Sequence, residues 1–299
     1  MKNYLIFRTD RIGDFFLTCI LIKNIKFNDP NSFITIVCSK KNYDYISRYK
    51  NIDQIIIYKK NLFSYFFNLF KLLKRKYHYS IIHDDKDRSK IMNFIVRKNN
   101  TILIDNKVLQ TKIDVIKNII KEIGFNYSEN DLNILDSKEG LFDKSKGEYV
   151  VFHYDEKWSN VTYFSNYINI EPNIDELISF IKQLEQKLKL KIIITTGCYA
   201  PKNLINIISS HSFKNVEILL NQSFFELEKI IFNSKLLISC HGSVSHIAAA
   251  KKVPQVDIID KSYDYSEWTS HFRNYNYVYR KKFTDLSKDI NNVLLSMSF

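Results

Sequence analysis

The sequence predicts an α/β protein made of two similar halves, each a parallel sheet with helices on both faces. Three observations carry this. Strand-like and helix-like stretches alternate from residue 4 to residue 124. Residues 126–147 are polar, rich in Ser, Asn, Asp and Lys, and read as a linker. After them the same alternation restarts at Tyr149. The domains are therefore expected at 1–145 and 146–299, with two halves facing each other across a cleft and the last helix, about 283–299, free to pack back on the first half.

The opening stretch sets the pattern. Tyr4–Phe7 are apolar and β-favouring, as a buried strand requires. Gly13 falls at the exit of the following turn, where a missing Cβ lets another molecule come close. Asp14 falls at the start of the next helix, where a carboxylate caps free N–H groups and faces the positive end of the dipole. Phe16, Ile20, Leu21 and Ile25 then form a helical stripe. Ligands of parallel sheets bind at the carboxyl ends of strands, so Asp14 is a candidate active-site acid as well as a cap.

The remaining elements follow in order. Strands are expected at Phe33–Cys38, Gln54–Tyr58, Tyr79–His83 and Thr101–Asp105, with helices at Tyr43–Tyr49, Asn61–Lys76 and from the charged turn Asp84–Asp87 to about Arg97. Lys112–Ile123 is amphipathic and closed by Gly124. In the second half, strands are expected at Tyr149–His153, Lys191–Thr196, Val216–Leu219, Leu236–Ser239 and Gln255–Ile259. Helices are expected at Asp175–Lys189, Lys202–Ser209, Ser223–Phe232, Ser245–Lys251 and Phe283–Ser298. Ser223 with Glu226 fits a capping box.

Composition narrows the function. The chain has 299 residues and 45% hydrophobic content, so it is not disordered. No run approaches the length of a membrane-spanning helix, and no signal-peptide pattern opens the chain. Cys19, Cys38, Cys198 and Cys240 are far apart, which argues against a zinc site or disulfide framework and suits a reducing cytoplasm. Residues 1–150 hold 27 Lys and Arg against 17 Asp and Glu, whereas residues 151–299 hold 17 against 15. A basic first half suits an anionic partner such as a phosphorylated lipid or the inner membrane surface. Nucleic acid is not expected, because no recognised nucleic-acid module is present.

The second informative stretch is Leu236–Ala250. A strand ends, a turn of small residues follows, and an alanine-rich helix begins. Free N–H groups and the dipole at such a helix start favour an anion. Gly242 allows close approach, Ser243 and Ser245 offer hydroxyls, and His246 offers a ring N–H. A merely capped helix with a structural His246 fits the same residues.

Together these stretches resemble glycosyltransferase family 9, the bacterial lipopolysaccharide heptosyltransferases. Arg8, Gly13, Asp14 and Thr18 are similar to the family's opening motif Arg-x-x-x-x-Gly-Asp-x-x-x-Thr. Ser245–Ala250 followed by Pro254 resembles its donor motif, and Asp155–Trp158 resembles its Lys-Trp segment. The order and spacing agree over nearly the whole chain.

The resemblance implies a GT-B architecture, two Rossmann-like domains with the active site between them. It implies inverting transfer of a sugar, heptose first among them, from a nucleotide-diphosphate donor such as ADP-heptose. The acceptor would be an anionic glycan or lipid-linked sugar. It implies Asp14 as general base, Lys157 and the helix start at Ser243–His246 on the diphosphate, and no metal or other cofactor. Arg8, Thr195 and Thr196 are further candidate contacts. The Asp-x-Asp in Asp84–Asp87 is expected to be a solvated turn.

Two departures lie on the donor side. His241-Gly242-Ser243 stands where the family has Asp-Thr-Gly, so the donor site is expected to lose an acceptor for donor hydroxyls and gain an imidazole. No acid occurs in 197–203, where family members often carry one. A nucleotide-binding or scaffolding protein of the same fold is therefore the alternative. Lys60–Tyr77 is a candidate interfacial helix: Leu62, Phe66, Leu69, Phe70 and Leu73 share one face, which Phe63 and Phe67 widen, and Lys71, Lys74, Arg75 and Lys76 lie close by. That would make a cytoplasmic protein peripheral on the inner membrane face.

Overall fold

The structure is a computed structural model that describes residues 1–59, 61–104, 110–129, 148–159 and 167–297. Most of the expected linker at 126–147 lies outside the described residues, as do Asp105 and Ser298. The chain divides into two compact units, Met1–Leu141 with Ser266–Ser270, and Phe142–Tyr265 with His271–Phe299.

The first stretch of chain runs β1 (Asn3–Arg8), α1 (Ile12–Asn28), β2 (Phe33–Ser39), α2 (Tyr43–Ile46), β3 (Gln54–Tyr58), α3 (Leu62–Leu73), β4 (Tyr77–Ile82), α4 (Asp87–Ile95), β5 (Lys98–Leu103) and α5 (Lys112–Glu122). Its strands form one parallel sheet in the order β3-β2-β1-β4-β5. β1 is central, with Ile6 opposite Ile36 on one side and Ile81 on the other, and Tyr4–Phe7 are fully buried. Burial on both faces is why this strand is a continuous apolar run. On one face Leu72 of α3 and Met92 of α4 close over Leu5, Phe7, Val37 and Ile56.

The second stretch runs β6 (Tyr149–His153), α6 (Ile174–Leu188), β7 (Lys191–Thr195), α7 (Lys202–Ser210), β8 (Val216–Leu219), α8 (Phe224–Asn233), β9 (Leu236–Cys240), α9 (Ser243–Ala250), β10 (Gln255–Ile259), α10 (Ser266–Thr269), β11 (Tyr275–Tyr279) and α11 (Phe283–Ser296). Its sheet is also parallel, in the order β11-β10-β9-β6-β7-β8. Counted from β6, this is the doubly wound order 3-2-1-4-5-6. Capping boxes at Thr111/Asp114, Asn173/Glu176 and Ser223/Glu226 start α5, α6 and α8.

Several elements differ from expectation. β11 and α10 carry no expected counterpart. β5 starts at Lys98 because Val96 is already extended and ends α4 early. In the last helix Phe283, Leu286, Ile290 and Leu294 pack into the second core, and the short segment 266–270 clusters with the first unit. In α3 the outward side carries Phe66, Phe67 and Phe70, and the opposite side faces the sheet. Leu72 is buried and Asn68 donates to the Ile57 carbonyl at 2.6 Å, while Phe66, Phe67 and Phe70 stay exposed at 63, 55 and 58%.

Candidate functional site

Each sheet has one topological switch point, where neighbouring strands send their helices to opposite faces and leave a crevice at their carboxyl ends. In the first sheet it lies between β1 and β4. The exits of these strands carry Arg8-Thr9-Asp10 and His83-Asp84, and a cavity of about 150 Å³ opens there. Arg8, Asp10, Asp14, His83, Lys112 and Trp268 line it.

The opening motif is a folded network. Arg8 is buried, its Nε donates to Thr18 Oγ1 at 2.7 Å, and its Nη1 meets Asp10 Oδ2 at 3.0 Å. Thr18 Oγ1 in turn lies 2.9 Å from His83 Nδ1. The ten-residue spacing of Arg8 and Thr18 thus ties β1 to α1 and β4. These bonds use Nε and Nη1 and anchor the guanidinium on the cavity wall.

Asp14 is not the N-cap. Helix α1 begins at Ile12 with Arg11 as cap, so Gly13 and Asp14 sit in its first turn, and Asp14 Oδ2 accepts from the Arg11 N–H at 3.3 Å. Its carboxylate is half-buried on the cavity wall, where a base could meet a hydroxyl. Beside it stands Asp10, which the sequence reading passed over. Asp10 Oδ1 is buried with no partner among the described residues. Burial pushes its pKa up to about 6, against the pull of Arg8 and with help from Asp14 and Asp84.

In the Asp84–Asp87 turn Lys86 and Asp87 are exposed as expected, but Asp84 is buried. Asp84 Oδ2 accepts from Thr9 N at 2.8 Å, from Thr9 Oγ1 and from Ser89 Oγ at 2.9 Å. Asp84 is a buried clamp between the exits of β1 and β4, needed because two chain turns meet there and leave donors to satisfy.

In the second sheet the switch point lies between β6 and β9. The β6 exit carries Asp155-Glu156-Lys157-Trp158. Trp158 is fully buried, donates from Nε1 to the His153 carbonyl at 3.1 Å and packs edge-on against Phe152. Arg280 adds a bond from Nη2 to the Lys157 carbonyl at 2.8 Å. So anchored, the loop holds the Lys157 ammonium 3.0 Å from Asp155 Oδ2. Burial works against charge on Lys157, but Asp155 outweighs it and raises the lysine's pKa. For Asp155 too, burial alone would favour the neutral acid, but Lys157 and His153 hold it below the usual carboxylate range.

The β9 exit leads to α9 through Gly242. A Cβ added at Gly242 would collide with Lys157 Nζ. Gly242 is extended, so its backbone asks nothing of glycine; the residue is there to let the ammonium lie across the helix start. A cation and free N–H groups thereby converge. His246, in the first turns of α9, is buried, and burial together with His241, His271 and Lys157 keeps it neutral. Ser243 is half-buried at the same helix start.

Ser245 does not offer its hydroxyl outward. It is fully buried, donates to Asp257 Oδ1 at 2.7 Å and accepts from Gly242 N at 3.2 Å. Thr195 and Thr196 are also fully buried. Thr195 Oγ1 lies 2.9 Å from His153 Nδ1, and Thr196 Oγ1 accepts from Asn221 N at 2.8 Å, so both hydroxyls hold strand ends together.

A carboxylate stands beside His241. His241 Nδ1 lies 2.6 Å from Asp257 Oδ2, and that carboxylate is wholly buried on β10. A lone acid inside the apolar run Gln255–Ile259 is the signal that could have revealed it, since a buried charge needs a partner. Similarly, Glu156 Oε2 lies where a Cβ on Gly197 would meet it at 2.7 Å, so an acid stands at the β7 exit although 197–203 supply none.

No family model and no curated protein matches the sequence. In fold, the chain is similar to Escherichia coli heptosyltransferase WaaC with ADP, with TM-score 0.79, 14% identity and 98 and 99% of the two chains covered. It is similar to a family 9 glycosyltransferase of Veillonella parvula, with TM-score 0.75, 14% identity and 99 and 98% covered. E. coli ADP-heptose lipopolysaccharide heptosyltransferase II gives TM-score 0.68 and 11% identity, with 99% of each chain covered. The fold is thus that of the GT-B heptosyltransferases.

Proposed function

We propose that this chain is an inverting glycosyltransferase. It moves a sugar, heptose in the first instance, from a nucleotide-diphosphate donor to a hydroxyl of a lipopolysaccharide or other surface-glycan acceptor. The observation that carries the reading is the Lys157 ammonium lying across the start of α9 at the second switch point, a position suited to a diphosphate. The solved relative WaaC was captured with ADP and with an ADP-heptose analogue, which supports the same donor here.

In this reading the second unit binds the donor. Lys157, the first N–H groups of α9 with Ser243, and the neutral His246 ring hold the phosphates and take up the leaving charge. The first unit supplies Asp14, which accepts the proton of the acceptor hydroxyl as its oxygen bonds to the anomeric carbon and the phosphate leaves. The Arg11 N–H holds that carboxylate, and the Arg8–Thr18–His83 network ties β1 to α1 beside it. No helix among the described residues is long and apolar enough to cross a membrane. Contact with the inner membrane face, for a lipid-linked acceptor, would run through α3.

Asp14→Asn tests the reading. With ADP-heptose as donor, transfer falls by about 10²-fold or more, the usual scale for a lost general base, while ADP affinity is unchanged. Transfer at the wild-type rate would remove Asp14 from the role.

A further inference from the structure

The donor-side departure at His241 is a built pair. Asp257 has no exposed surface, and its carboxylate is fully engaged: His241 Nδ1 at 2.6 Å and Tyr275 OH at 3.3 Å on Oδ2, Ser245 Oγ at 2.7 Å on Oδ1. The imidazole is the part of the pair that solvent reaches, with 13% of its side chain exposed. A carboxylate on Nδ1 fixes the tautomer and supports positive charge on the ring, leaving Nε2 for a ligand. The ring is also walled by Tyr265, with centroids 4.8 Å apart, and by Phe272, which stacks at 6.4 Å. These rings fix the plane of the imidazole.

We propose that His241 and Asp257 form a charged dyad that receives a donor phosphate. His241 carries the proton and donates it as a hydrogen bond from Nε2, and Asp257 is its positioning residue. The proposal rests on the donor-site reading above and assigns within it a group that changes charge on binding. In the transfer step the bond from the anomeric carbon to the phosphate oxygen breaks, and the electron pair leaves with the phosphate. The acceptor's proton goes to Asp14, and the imidazolium keeps its own proton while pairing with the new phosphate charge.

The surroundings identify His241 as the responsive group. From α9 it faces His246, which burial and its charged neighbours keep neutral; His271, whose pKa burial lowers to about 4, acts on His246 from the loop before β11. From the loop before α10 it faces Tyr265, whose pKa burial raises, and Tyr275 of β11 shares its carboxylate. Lys157, from the β6 exit, is cationic throughout. A phosphate arriving here meets the His241 ring, which Asp257 holds in place at 2.6 Å.

The test is calorimetry of ADP and UDP binding near neutral pH, in buffers of different ionisation enthalpy, with adenosine as the phosphate-free control. Wild type is expected to take up part of a proton per nucleoside diphosphate and to bind more weakly as pH rises. His241→Gln is expected to abolish the uptake and weaken diphosphate binding by roughly 10- to 100-fold, the scale of a charge-assisted bond, with adenosine affinity unchanged. Asp257→Asn should reduce the uptake without removing the ring. Wild-type binding without proton uptake, or uptake unaltered in His241→Gln, overturns the dyad and leaves the donor site standing. If wild type binds neither diphosphate, the donor site falls and the dyad with it.

Discussion

Replacing Asp10 by Asn should make the protein more stable above pH 6, and the structure gives the size of the effect. Asp10 ionises near 6 instead of near 3.8, chiefly because it is buried. The native state therefore holds a proton on Asp10 that the unfolded chain has released, over the interval between those values. Where the native state binds more protons, stability falls as pH rises. The contribution of Asp10 is intact below about pH 4 and is lost by the time pH has passed through about 6. A shift of about two units corresponds to about 3 kcal/mol, and solvent reaching 19% of the side chain trims this toward 2 kcal/mol. Asn keeps the shape and an oxygen for Arg8 but cannot ionise. Urea unfolding of both proteins at intervals from pH 4 to pH 8 is the assay. The gain in Asp10→Asn should be near zero at pH 4 and reach about 2 kcal/mol by pH 7. A difference that stays constant across this range would show that burial does not hold Asp10 in its neutral form.

Lys157→Ala should weaken ADP binding by about 1.5–3 kcal/mol, and Gly242→Ala, which only pushes the flexible ammonium aside, by less; an unchanged calorimetric affinity in Lys157→Ala would refute the diphosphate placement. The α3 face, with Phe66, Phe67 and Phe70 exposed and Lys71 and Lys74 stacked over Phe67 and Phe70, should bind anionic vesicles. Replacing the three phenylalanines by Ser should abolish co-sedimentation with such vesicles. Equal wild-type recovery with neutral and anionic vesicles would refute membrane docking through this face.

The sequence was most legible where one physical demand dominates. Tyr4–Phe7 and Leu236–Cys240 are buried on both faces, and continuous apolar runs announce that directly. Edge strand β11 escaped because its alternation is aromatic and half-exposed: Val278 is buried, whereas Tyr277 and Tyr279 are exposed. Asp14, Lys157 and His246 could be singled out because each follows a strand end in a recognisable local pattern. Asp10 and Asp257 could not, because their importance comes from what surrounds them. Asp257 reads as a polar residue within a strand until His241, sixteen residues away, closes on it from the neighbouring strand's exit. Arg280, over a hundred residues from Lys157, holds that residue's carbonyl and so helps aim an ammonium that the resemblance alone had pointed to. Local patterns thus name the groups that would touch a ligand. The buried partners that set their charge and aim come from strand neighbours distant in sequence, and only the parallel register brings them together.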